Sequence, residues 1–126
     1  DQEYVNVNDF ENITLIIHSL PLDTVSVFRS LLTPKGINPK KLIVLPLTEA
    51  SIEMVKANMG VIVMANWALK PYLTDEIKAV KVTKEGFFRN QFIARIRERE
   101  YPVFFDYFIK FLREEIDISP DQRNTV

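Results

Sequence analysis

A chain of 126 residues that is 47% hydrophobic and 26% charged has the proportions of one globular domain. Lys and Arg number 16 against 17 Asp and Glu, and the basic residues are scattered, so direct nucleic-acid contact by this segment is not expected. The lack of cysteine excludes disulfides, iron–sulfur clusters and thiol catalysis and suits the reducing cytoplasm, and the longest apolar runs, Leu42 to Pro46 and Val61 to Ala65, are too short to span a membrane.

The polar opening, Asp1 to Asn8, has neither an initiating methionine nor a signal-peptide pattern, and reads as the run-in to a fold already under way. The chain is therefore expected to be a fragment. Ile13 to Ile17 is a short β-branched run of the kind that forms strands buried on both faces, ending at His18-Ser19. Asp23 is then a candidate N-cap for a helix in which Val25, Phe28, Leu31 and Leu32 recur at helical spacing, and Thr33-Pro34-Lys35-Gly36 stops it.

The rhythm repeats. Leu42 to Leu45 is strand-like and Pro46 closes it; Thr48 is a candidate N-cap, with Glu49 near the positive helix end. Ile52, Val55 and Met59 mark one helical face, Gly60 offers a left-handed C-cap, and Val61 to Met64 follows as a third strand. This β-α-β-α-β order predicts an α/β fold: a mostly parallel sheet with right-handed crossovers and helices on both faces.

Asn66 to Leu73 reads as a short helix and Ile77 to Val82 as an edge strand. Between Phe88 and Arg97 apolar and polar residues alternate, which predicts a strand with one wet face. Tyr101-Pro102 opens a last helix, on which Phe104, Phe105, Phe108, Phe111 and Leu112 make a stripe broader than one flank of so small a sheet requires. A missing partner surface is implied. The domain is expected to span 1–116, with a disordered tail over 117–126.

In an open parallel sheet, ligands bind beyond the carboxyl ends of the strands. Those ends are His18-Ser19-Leu20, Leu47-Thr48-Glu49 and Ala65-Asn66-Trp67, and the candidate binding residues are His18, Ser19, Leu47, Thr48, Asn66 and Trp67. Each has a plainer reading. The only histidine, His18, has no second histidine to share a metal and can simply pack; Thr48 can simply cap a helix, although a capping hydroxyl also meets carboxylates. Trp67 reads first as a core anchor and second as a pocket wall, which leaves Asn66 the stronger polar candidate.

Glu49 and Glu53 form an ordinary surface pair, and Arg89, Arg95, Arg97 and Arg99 read as a solvated stripe. No catalytic residue, metal or cofactor is expected: the chain has no G-x-S-x-G, P-loop or G-x-G-x-x-G pattern. A phospho-receiver domain would need acidic strand ends, where this chain has His18, Pro46 and Asn66.

The string from Glu53 through Gly60 to Trp67 (helix, glycine, apolar strand, tryptophan) resembles the sensing domain of LysR-type transcriptional regulators, over nearly the whole chain. Phe28 to Pro39 and Lys84-Glu85-Gly86-Phe87 are similar to segments of the methionine-regulator (MetR) branch. The resemblance implies the second lobe, with its final helix, of a periplasmic-binding-protein-like type II sensor that clamps a small effector, homocysteine or another amino acid or carboxylate. It further implies a first sensing lobe and an N-terminal winged helix-turn-helix in the parent chain, and a homo-oligomer. A periplasmic solute-binding protein, a prephenate-dehydratase-like enzyme lobe, or an interaction domain without a ligand are the alternatives.

Overall fold

In the computed structural model of the chain, residues 2–89, 92 and 94–117 are described. The centre is a three-stranded parallel sheet of β2 (Thr14–Ile17), β3 (Lys41–Val44) and β4 (Val61–Ile62), in the spatial order β3-β2-β4. The register sets Leu15 opposite Leu42 and Val61, and Ile16 opposite Ile43 and Ile62. A second, two-stranded parallel ribbon pairs β1 (Tyr4–Val5) with β5 (Lys81–Val82).

β2 is the middle strand, and Leu15, Ile16 and Ile17 are all buried. Side chains alternate along a strand, so three consecutive buried residues require cover on both faces, which parallel crossovers provide. Leu15 and Ile17 join Val7, Phe10, Val27, Phe28, Leu32, Ile37, Val82 and Phe87 in the main core.

The crossover from β2 to β3 carries helical turns from Ser26 to Lys35, and Phe28 and Leu32 are buried as their spacing predicts. Asp23 does not cap these turns. It sits inside a separate 3-10 turn, Leu22–Thr24, which ends at Val25 before the helical turns begin. Phe28–Leu32 is a π-helical turn in which the Thr33 N–H donates to the Phe28 carbonyl. Pro34 accounts for the widening, since it lacks an N–H and its ring crowds the carbonyl four residues back. Gly36, at φ 67°, then reverses the chain.

Helix α1 (Thr48–Lys56) crosses from β3 to β4. Leu47 occupies the cap position and Thr48 the first helical position, with no side-chain capping bond, so Thr48 is not the predicted cap. Buried Ser51 bonds to the Leu47 carbonyl at 3.1 Å, and Ile52 is buried beside it in sequence. Met59 lies beyond the helix end and is exposed, because the helix stops a turn earlier than its apolar spacing suggested.

Two further expectations change. The left-handed residue at this turn is Asn58 (φ 57°), not Gly60. Gly60 is instead needed for close approach: a Cβ there would lie 2.8 Å from the Thr14 carbonyl oxygen. Of the expected strand over Ile77 to Val82, only Lys81–Val82 pairs.

The described residues of 88–97 form no strand, and Phe92 is 86% exposed. Alternation specifies two faces but supplies no hydrogen-bonding partner.

Helix α2 (Asn66–Leu69) continues as a 3-10 turn over Lys70–Tyr72, matching the expected short helix. Helix α3 (Val103–Asp117) begins immediately after Pro102 and reaches the first residue of the expected tail, of which 118–126 lie outside the described residues. No helix among the described residues is long and apolar enough to cross a membrane.

Candidate functional site

The strand order dictates where a crevice opens. From β2 the chain crosses to one side to form β3, then crosses back past β2 to form β4 on its other side. Connections leaving in opposite directions part at the carboxyl ends of β2 and β4, and this divergence is where open α/β sheets bind ligands.

A cavity of about 290 Å³ lies there. β2 and its exit loop contribute Leu15 to Ser19; the start of the crossover contributes Thr24 to Val27; and the exit of β4 contributes Val63 to Ala65, with Trp67 and Ala68 from α2. Phe87 and Arg89 complete the lining from the segment after β5. That segment is aimed by a tight turn in which Thr83 has φ 63° and Gly86 φ 90°, the Gly86 N–H donating to the Thr83 carbonyl at 3.2 Å. Phe87 is buried in the main core, so Arg89 projects from an anchored base.

Of the candidate binding residues, His18, Ser19 and Trp67 line this cavity, whereas Leu47, Thr48 and Asn66 do not. Leu47 and Thr48 follow β3, on the far side of β2 from the point of divergence. Thr48 still touches the site indirectly, because His18 Nε2 and Thr48 Oγ1 share a hydrogen bond of 3.2 Å whose donor is set by the imidazole tautomer. His18 thus has a polar partner as well as a packed position. Trp67 is 65% exposed, so it walls the cavity rather than anchoring the core.

Thr24, Ser26 and Arg89 are polar lining residues that the sequence did not place in the site. Arg89 Nη1 donates to Ser26 Oγ at 2.8 Å across 63 residues of chain. The alternation around Arg89 concealed this role by suggesting a solvated strand; Gly86, one of only three glycines, was the available signal of a turn redirecting the segment.

Most of the lining is apolar, with polar groups contributed by His18, Ser19, Thr24, Ser26 and Arg89. A largely apolar concavity with a few convergent polar groups suits selective retention of a small organic molecule. Among the described residues no group of His, Cys, Asp or Glu is arranged to hold a metal ion.

The LysR substrate binding domain family matches residues 1–117 of the chain. The HTH-type transcriptional regulator MetR of Haemophilus influenzae is 30% identical over 116 residues, covering 91% of this chain and 37% of that protein. The chain thus spans little more than a third of the length of this curated relative. The solved regulatory domain of MetR, a LysR family regulator from N. meningitidis, superposes with a TM-score of 0.64 at 28% identity, over 68% of this chain and 39% of that one. A double cysteine-to-serine mutant of that domain gives a TM-score of 0.63 at 28% identity, over 67% and 39%.

Proposed function

Because the chain belongs to the LysR substrate binding domain family, we propose that it forms the second lobe of a cytoplasmic effector sensor, with the cavity between β2 and β4 as one wall of the ligand cleft. The first sensing lobe of the parent chain supplies the opposite wall. In this reading the effector is a small metabolite, homocysteine or another amino acid or carboxylate, as the resemblance to the MetR branch implies. The observation that carries this reading is the position of the cavity, at the strand divergence beyond the carboxyl ends of β2 and β4.

Ligand held between two lobes favours the closed arrangement in proportion to its preference for that state. In a homo-oligomeric regulator this closure changes how the N-terminal winged helix-turn-helix domains are spaced on DNA, which couples effector and operator binding reciprocally. This segment itself makes no DNA contact, and it performs no catalysis.

The test fills the cavity in the intact regulator. Ala68→Phe places an added ring against a space of about 290 Å³ and is expected to weaken effector-dependent DNA binding by about tenfold or more. Glu53→Ala, on the exposed side of α1, serves as the control and leaves the response unchanged. A folded Ala68→Phe regulator with an undiminished effector response would place the site elsewhere.

A further inference from the structure

We infer that Arg89, held in place by Ser26, is the anion anchor of the β2–β4 cavity and restricts it to ligands that present a carboxylate on a short apolar body. The inference rests on the effector-sensing reading above and assigns the charge class and the residue that selects it. Among the described residues lining the cavity, Arg89 is the only one with a full, permanent charge, and none is Asp or Glu. A ligand cation would find no carboxylate there, whereas a ligand carboxylate would find a guanidinium at the rim.

The guanidinium is also positioned. Its Nη1 donates to Ser26 Oγ at 2.8 Å, and its base is fixed by buried Phe87 two residues earlier. A guanidinium has five N–H donors in a planar fork, so one bond to Ser26 leaves an edge able to meet a carboxylate. Holding one edge in advance lowers the rotamer entropy lost when the second edge is engaged. The same lining includes Val25, Val63, Met64 and Trp67, which suit an apolar body. A volume of about 290 Å³, at the lower end of small-molecule pockets, accommodates a ligand of this kind.

Matched pairs of probes test the assignment on the intact regulator: butanoate, methionine and homocysteine, each beside its carboxamide, titrated by calorimetry. At least one acid is expected to bind, with its amide about ten- to a hundredfold weaker, the usual loss when a charge-assisted hydrogen bond is removed. Arg89→Met is expected to abolish the preference for acid over amide while the regulator stays folded, Arg89→Lys to retain part of it, and Ser26→Ala to fall between wild type and Arg89→Met. The anchor is overturned if no acid binds, if the amides bind as tightly as their acids, or if Arg89→Met still discriminates. A regulator that answers only to neutral molecules keeps its sensor role and loses this anchor; one that answers to no small molecule loses the sensor role itself.

Discussion

Gly60 shows how a single residue type can be recognised for the wrong reason. A glycine between a helix and a strand suggests a left-handed cap, yet Asn58 adopts that conformation and Gly60 is required by its distance from Thr14. Asparagine tolerates positive φ because its short amide can bond locally, so the cap could sit at either residue, and sequence spacing does not choose between them. The close approach is a tertiary fact that appears only once β4 is docked beside β2. Gly60→Ala would bring a Cβ to 2.8 Å from a backbone oxygen, which cannot move without disturbing β2, and is expected to destabilise the chain by about 1–3 kcal/mol in chemical denaturation. Thr48 carries a similar lesson. Its hydroxyl is bonded to His18 and not to the end of α1, so Thr48→Ala should cost below about 1 kcal/mol, less than a lost N-cap, and a larger loss would restore the capping role.

At the scale of elements, the alternation of strands and helices was legible because each apolar run is short and bounded, with Gly36 and Pro46 as punctuation. Parallel neighbours need long crossovers, so three strands separated by helical spacings leave few topologies open. The same logic yields no strand among the described residues of 88–97. The alternating residues from Phe88 to Arg97 describe a two-faced segment, but a strand also needs an edge to bond, and hydropathy does not encode which edge is free. Burial on two faces fixes a strand such as β2, whereas peripheral segments lack that constraint. Leu15 tests the central claim: it is fully buried in the middle strand and belongs to the main core. Leu15→Ala should lose about 2–5 kcal/mol, as expected for a cavity opened in a packed core, whereas Val61→Ala, on an exposed position of β4, should lose far less. Comparable losses at the two sites in urea titrations would contradict the placement of β2 at the centre.

At the scale of the whole molecule, the sequence pointed to the carboxyl end of the sheet, where the cavity lies, but not to the gap within it. His18, Ser19 and Trp67 reach the cavity because β2 and β4 diverge there, while Leu47 and Thr48 belong to the outer strand; that distinction depends on the order β3-β2-β4, which linear order does not state. Ser26 and Arg89 were missed for a related reason, since their 63-residue separation becomes a 2.8 Å contact only when β5 pairs with β1 and its exit turn folds over the cavity. The apolar stripe of α3 was readable directly, and it has a consequence for the chain by itself. Phe104, Phe108 and Phe111 recur on one side of the helix and are each more than half exposed. Covering a phenylalanine is worth about 1.5–3 kcal/mol, so three in one stripe can drive weak association even after the cost of joining two molecules. In the proposed regulator the first sensing lobe covers this face; the isolated chain has only other copies of itself. Sedimentation velocity is therefore expected to show concentration-dependent self-association of the isolated chain, which Phe108→Glu removes while leaving its thermal midpoint unchanged. Joining the first sensing lobe in one polypeptide should cover the stripe equally well, and Phe108→Glu should then lower the midpoint instead, because the charge would be forced into a packed interface. If Phe108→Glu lowers the midpoint of the isolated chain as well, the stripe packs against this chain's own core and the covering lobe is not its partner.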